Sequence, residues 1–349
     1  MPAPWPTVTS APRFPLEAAL ERIAGTKRLL IYMHDNPDPD ALAAASGLKR
    51  LVEHEVGAEV TLCLGGIVGR AENRVMVEAL RIPLTPMEEL SLTRFDRLAI
   101  VDSQPGTGNN SLPQKRRVDI IVDHHPKRSE SEAAPWSDVR SELGATSTIV
   151  LEYLRDRRVP IDSRLATGLF YALRSETRDL GREATDAERD AYLFLVPLVD
   201  HKTLSHISHP KVPREHFTAL DRALRSARVF GNVIAADLGE LSYPDLVAEI
   251  ADLLLGFDGA KFVLCGGRFG SKAFLSLRTD TSESRAGTLM RDIIDTRGAA
   301  GGHGTMAGGR LHEPVLDDAQ MATAFSQIVD RLLGAVGATK AAAVPLVDR

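Results

Sequence analysis

The chain is poor in cysteine, in aromatic residues and in positive charge, and each shortage removes a class of protein. Only Cys63 and Cys265 occur in 349 residues. They form no C-x-x-C pair, so neither a disulfide framework nor a thiolate zinc site is expected, and a reducing cytoplasm is the expected compartment. Lys and Arg number 42 against 47 Asp and Glu, a net charge of -5. The broad basic surface that grips long duplex nucleic acid is therefore missing, and any nucleotide must be held locally. Aromatics make up 5% of the chain against 44% hydrophobic residues overall, so the core must rest on Ala, Leu and Val. No eighteen uncharged apolar residues run together, and the opening M-P-A-P-W-P-T-V-T-S has no basic stretch followed by an apolar one. Neither a membrane span nor a secretory signal is expected.

What is present is a repeated alternation of short apolar runs and amphipathic stretches. Residues 28–33, 59–64, 97–102 and 118–123 read as strands, with helices following at 41–52 and 71–80. Continuous apolar strands separated by helices predict a buried parallel sheet, hence an α/β domain. Past residue 145 the pattern turns helical, over 146–154, 162–173 and 185–199. A length of 349 residues suits two domains. The boundaries read as a first domain over 15–205, a linking helix over 206–231 and a smaller mixed α/β domain over 232–340. The second contains a strand at 232–237, a helix at 245–255, a β-hairpin around the turn at 267–272, a glycine-rich loop at 298–309 and a last helix near 316–334.

Three clusters of chemistry-bearing residues each end a predicted strand. His34, Asp38 and Asp40 lie in H-D-N-P-D-P-D, Asp102 closes R-L-A-I-V-D, and Asp123, His124 and His125 form D-H-H. Taken alone, Asp38 and Asp40 read equally well as helix caps, and a strand-terminal Asp such as Asp102 is common in turns. Together they fall on one edge of one parallel sheet, outside the carboxyl ends of the strands, where such sheets bind ligands. Imidazole mixed with carboxylates favours Mn²⁺, Mg²⁺ or Fe²⁺. A pair of such ions about 3.5–4 Å apart can activate water and clamp phosphate oxygens.

H-x-N-P-D-x-D, a strand-terminal Asp, D-H-H and then G-G-H-x-x-A-G-G together resemble the DHH phosphoesterases. The closest likeness is to the subgroup of oligoribonucleases, 3′-phosphoadenosine 5′-phosphate phosphatases and cyclic-dinucleotide phosphodiesterases. The resemblance implies a parallel-sheet DHH domain followed by a DHH-associated substrate-binding domain. It implies two divalent cations, Mn²⁺ foremost with Mg²⁺ or Co²⁺ as alternatives, held by His34, Asp38, Asp40, Asp102, His124 and Glu176, with Asp102 bridging. His125 would face the phosphate, Asp123 would hold its neighbours in place, and Asn36 and Ser103 would help position them.

In the second domain the resemblance gives substrate contacts to Arg278, Gly301, Gly302, His303, Gly308 and Gly309. The implied substrate is a short oligonucleotide or small nucleotide, bound in a cleft between domains; long duplexes and membranes are not expected as partners, and a homodimer is left open. One departure stands out. The family usually carries Asp where A-L-R-S-E-T-R-D (172–179) places Glu176, and an extra methylene shifts a carboxylate by more than metal geometry tolerates. Either Glu176 adapts, or Asp179 substitutes, or catalysis is weakened. In the last case the chain would be a nucleotide-binding regulatory protein.

Overall fold

The computed structural model describes residues 16–107, 109–113, 116–182, 184–280, 286–340 and 343–347. They fall into two compact units, one ending at Pro210 and one starting at Lys211. The first unit runs α1 (Leu16–Ile23), β1 (Arg28–Tyr32), α2 (Pro39–Glu55), β2 (Glu59–Leu64), α3 (Ala71–Leu80), β3 (Leu84–Pro86), β4 (Arg97–Val101), β5 (Ile120–Asp123) and β6 (Trp136–Val139). Four helices follow: α4 (Thr146–Asp156), α5 (Ser163–Thr177), α6 (Asp186–Leu195) and α7 (His201–Ser208).

All neighbouring strands in this sheet are parallel, in the order β3-β2-β1-β4-β5-β6. Chain order reverses between β1 and β4, and this is where a doubly wound sheet opens a crevice at the carboxyl ends of its strands. The apolar runs of β1 and β4 are buried on both faces: Leu29, Ile31, Ala99 and Val101 pack with α2, α4 and α5 on one side, and Leu30, Tyr32, Leu98 and Ile100 form a smaller cluster on the other. That double burial explains why these strands read as continuous rather than alternating apolar sequence.

The second unit holds α8 (Arg214–Ser226), β7 (Arg228–Phe230), β8 (Val233–Glu240), α9 (Leu246–Leu254), β9 (Phe262–Phe269), β10 (Lys272–Thr279), α10 (Ala286–Ile294), β11 (Gly298–His303), β12 (Met306–Leu311), α11 (Asp318–Val336) and β13 (Val344–Pro345). Its sheet is mixed: β8 and β9 are parallel, while β9, β10, β12 and β11 follow one another antiparallel. The hairpin expected around 267–272 is β9 and β10.

Two expectations change. The stretch 206–231, read as a linking helix, is divided: residues 206–208 finish α7 in the first unit, and α8 buries Ala219 and Ala223 in a core of the second unit with Ile234 and Leu246. The segment 298–309, read as a glycine-rich loop, is the antiparallel pair β11 and β12 at the sheet edge. Glycine there serves close packing. A Cβ on Gly287 of α10 would lie 2.1 Å from the carbonyl oxygen of Gly302, and Gly302 itself has φ +153°, a backbone conformation in which L side chains are strained.

Candidate metal centre

The loop after β1 brings the first cluster into place. Asp38 is the N-cap of α2, and its Oδ1 accepts from the amides of Asp40 and Ala41 at 3.0 Å each. Of the two residues that read as caps, Asp38, two positions before Asp40, caps α2, and Asp40 does something else. Its Oδ2 and Oδ1 accept from the amides of Thr146 (2.7 Å) and Ser147 (2.8 Å), the first residues of α4. Ala145 stands at the N-cap of α4 and has no side chain to offer, so Asp40 supplies the missing cap from across the fold. A carboxylate there also complements the positive end of the helix.

Asp102 follows β4 in a left-handed conformation, φ +56°, with its amide donating to Val122 O at 2.9 Å. Asp tolerates this region better than most residues, and the sharp turn keeps its carboxylate buried while Thr146 Oγ1 donates to its Oδ1 at 2.8 Å. His34 Nε2 lies 3.8 Å from Asp102 Oδ2 and 3.9 Å from Asp38 Oδ1. On the other side, His124 Nε2 is 3.7 Å and His125 Nδ1 3.8 Å from Asp102 Oδ1. Two trios of donor atoms result, His34–Asp38–Asp102 and Asp102–His124–His125, and Asp102 belongs to both.

These spacings are too long for hydrogen bonds. They suit atoms each about 2.0–2.2 Å from a shared cation, which sit roughly 3–4 Å from one another. His124 is turned so that Nε2 faces this space, because its Nδ1 lies 3.2 Å from Leu143 O. A carbonyl only accepts, so Nδ1 carries the proton and Nε2, near Asp102, is the basic nitrogen of the neutral ring. The charge balance points the same way. Burial, and then the carboxylates of Asp40, Asp38 and Asp123, hold the Asp102 carboxyl well above its ordinary range. Burial likewise raises Asp40, opposed by His124. Such crowding is relieved by a cation, and the residues present fit one.

His125 is held differently. Its Nδ1 donates to Asp123 Oδ1 at 2.8 Å, and Asp123 Oδ2 accepts from Gln104 Nε2 at 2.6 Å. Gln104 is in turn fixed through its Oε1, which accepts from Arg128 N at 2.8 Å and Ser131 Oγ at 2.6 Å. Burial disfavours the charged ring, but the hydrogen bond and charge of Asp123 outweigh it and push the His125 pKa up to about 9.

Glu176 sits near the end of α5. Burial, then the charges of Asp38 and Asp40, push it up to about 8, with Arg182 and His125 acting against them. Its own carbonyl accepts from Arg182 Nη2 at 2.6 Å and Nε at 3.1 Å. Asp179, the alternative ligand, faces elsewhere: its side chain is 57% exposed and paired with Arg174 at 2.5 Å. Among the described residues neither Asp40 nor Glu176 joins either donor trio. Asn36 Oδ1 accepts from Ile67 N at 3.3 Å, and Ser103 Oγ donates to Asn109 Oδ1 at 3.0 Å, so both brace neighbouring loops. His201, His206 and His209 are exposed on or just beyond α7.

Three participants escaped the sequence reading: Gln104, Thr146 and the Leu143 carbonyl. The only local hint was the polar S-Q directly after the strand-terminal Asp102. In the second unit Arg278 lies on β10, buried, donating from Nε to Asp252 Oδ1 at 2.6 Å and from Nη1 to Ser276 Oγ at 2.9 Å. Gly301 pairs with Gly308 and Gly302 with Ala307 across β11 and β12, while Gly309 faces Ala300. A Cβ on Gly301 would meet nothing within 4 Å. The backbone of His303 ends β11; its side chain lies outside the described residues.

Residues 28–173 match the DHH family, N-terminal domain. A protein of Methanocaldococcus jannaschii described as uncharacterized is 33% identical over 285 residues, 81% of this chain and 58% of that one. A probable manganese-dependent inorganic pyrophosphatase of Deinococcus radiodurans is 27% identical, over 49% of this chain and 54% of its own length. The cyclic-di-AMP phosphodiesterase GdpP of Geobacillus thermodenitrificans is 24% identical, over 87% of this chain and 47% of its own. The chain thus spans about half the length of these curated relatives. An exopolyphosphatase-related protein from Bacteroides fragilis shares the fold, with a TM-score of 0.71 at 13% identity, covering 92% of this chain and 96% of that one. No helix among the described residues is long and apolar enough to cross a membrane.

Proposed function

We propose that the chain is a metal-dependent phosphoesterase acting on short oligonucleotides or small nucleotides through two divalent cations, with Mn²⁺ foremost. The observation that carries this is Asp102, one buried carboxylate that stands between His34 and Asp38 on one side and His124 on the other, at the switch point of a parallel sheet. His34 and Asp38 would complete one half of the centre and His124 the other, with Asp40 and Glu176 as further carboxylate ligands. When bound, such a pair lowers the pKa of water and neutralises phosphate charge.

The chain's own residues prepare the rest. Asp123 and Gln104 lock the His125 ring, so that it would be held ready to donate to a phosphate oxygen as charge builds there. Asp40 and Thr146 tie α4 to the centre, which limits the freedom of Asp102. The manganese-dependent name of one relative and the phosphodiesterase name of another agree with this chemistry.

The nucleotide substrate draws support from coverage. The likeness to a cyclic-di-AMP phosphodiesterase extends over 87% of the chain, more than the first unit alone, whereas that to a pyrophosphatase covers 49%. Arg278, Gly301, Gly302, His303, Gly308 and Gly309 are the proposed nucleotide contacts in the second unit. The rival is a nucleotide-binding regulatory protein with weak turnover, in which Glu176, placed within reach of the charges of Asp38 and Asp40, does not replace the family Asp as a ligand. A screen with Mn²⁺ of di- to tetranucleotides, linear and cyclic dinucleotides, 3′-phosphoadenosine 5′-phosphate and pyrophosphate tests the reading. Hydrolysis of a nucleotide, abolished by chelation, supports it. Tight nucleotide binding without cleavage under Mn²⁺, Mg²⁺ or Co²⁺ favours the rival, and cleavage of pyrophosphate alone contradicts the substrate class.

A further inference from the structure

Residues 140–145, between β6 and α4, form an irregular connection, and one peptide group within it is held at both ends. Its oxygen, Leu143 O, lies 3.2 Å from His124 Nδ1 and fixes the tautomer of that ring. Its nitrogen, Gly144 N, donates to Glu188 Oε1 at 3.0 Å. A trans peptide is planar, with N–H and C=O pointing in opposite directions, so whatever holds the nitrogen also aims the oxygen. Glu188 stands on α6, 44 residues further along the chain.

Glu188 is fully buried. Its other oxygen, Oε2, completes a capping box at the start of α6: it accepts from Thr185 N at 2.8 Å and from Thr185 Oγ1, while Thr185 Oγ1 accepts from Ala187 N at 3.1 Å. Gln serves a capping box as well as Glu does. What the carboxylate adds is a second acceptor oxygen, and Gly144 N is the donor that this oxygen holds. A buried charge is costly unless hydrogen bonds meet it, and three donors meet this one. A charged acceptor on the N–H also strengthens the carbonyl of the same peptide as an acceptor for the next donor, the imidazole.

The residues that follow Gly144 carry further supports. Thr146 N and Ser147 N donate to the Asp40 carboxylate, and Thr146 Oγ1 to Asp102. Displacing Gly144 therefore disturbs the supports of His124, Asp40 and Asp102 together.

We propose that Glu188 is a positioning residue of the metal centre, the carboxylate of a carboxylate–peptide–imidazole relay that runs through the Leu143–Gly144 peptide to His124. The proposal rests on His124 being a metal ligand, where a carboxylate usually meets the ring directly; here a peptide is interposed. The test compares Glu188→Gln with Thr185→Ala in the full chain, by Mn²⁺ titration and by nitrogen NMR of the His124 tautomer without metal. In Glu188→Gln the two Thr185 donors retain the one remaining oxygen, so the amide nitrogen faces Gly144 N–H and the relay breaks. Mn²⁺ affinity should fall roughly 10-fold, and a share of neutral His124 should shift its proton from Nδ1 to Nε2. Thr185→Ala weakens the capping box but leaves Thr185 N on Glu188 Oε2 and Gly144 N on Oε1; it should lower the melting temperature and leave Mn²⁺ affinity and tautomer as in the parent. An unchanged Mn²⁺ affinity or an unchanged tautomer in folded Glu188→Gln overturns the proposal, as does an equal loss of Mn²⁺ in Thr185→Ala. A parent chain that binds no Mn²⁺ contradicts the metal reading instead, and the tautomer then decides the relay by itself.

Discussion

The centre around Asp102 and the glycine strands 298–309 are built on opposite principles. Around Asp102, side chains do the work, and each is held by a second group: Asp40 by the start of α4, His124 by Leu143 O, His125 by Asp123 and Asp123 by Gln104. In β11 and β12 the important atoms are the ones that are missing. Gly287 and Gly302 let α10 approach the strands to within a distance that any Cβ would block, while the Gly301–Gly308 pair leaves an exposed strip of bare backbone. A site made of side chains should fail when its chemistry changes. A site made of backbone should fail when volume is added.

That contrast orders the predictions. The largest effect is expected at Glu176→Gln, which removes a carboxylate without changing shape: Mn²⁺ affinity and hydrolysis should fall roughly 10–100-fold, whereas Asp179→Asn, on an exposed ion pair, should leave both unchanged. If Asp179→Asn alone weakens Mn²⁺, the ligand assignment is reversed. Next comes Gln104→Leu, which leaves Asp123 Oδ2, Arg128 N and Ser131 Oγ without their partner. Activity should drop about 10-fold or more and stability by about 1–3 kcal/mol; full activity would show that the lock on His125 is dispensable.

On the backbone side, Gly287→Ala should cost about 1–3 kcal/mol by overpacking, visible as a lowered melting temperature with Mn²⁺ binding intact. The smallest effect belongs to Gly301→Ala, where an added methyl meets nothing. Stability should stay within about 0.5 kcal/mol, and a raised KM for nucleotide with unchanged kcat would mark this strip as a contact surface.

The same contrast explains what the sequence could reveal. Strands β1, β2, β4 and β5 were legible because burial on both faces leaves continuous apolar runs, and the residues that follow them carry unmistakable chemistry. The supports were not. Thr146 reaches Asp40 across 106 residues and Asp102 across 44, and no local pattern records such a pairing. Nor did the separation of Asp38 and Asp40, one capping its own helix and the other a distant one, follow from their spacing. Glycine-rich sequence misled for a related reason: it signals the absence of side chains, which a loop and a close-packed strand share, and helix α10 beside it was not read at all. The helix α8 was read as a helix, but its burial against β8 depends on partners later in the chain.

The account rests on Asp102 serving two ions at once. Equilibrium dialysis with Mn²⁺ at neutral pH, followed by metal analysis of the parent chain and of Asp102→Ala, measures this directly. Two ions bound to the parent and one or none to the variant is the predicted result. Two ions retained by a folded Asp102→Ala chain would contradict it.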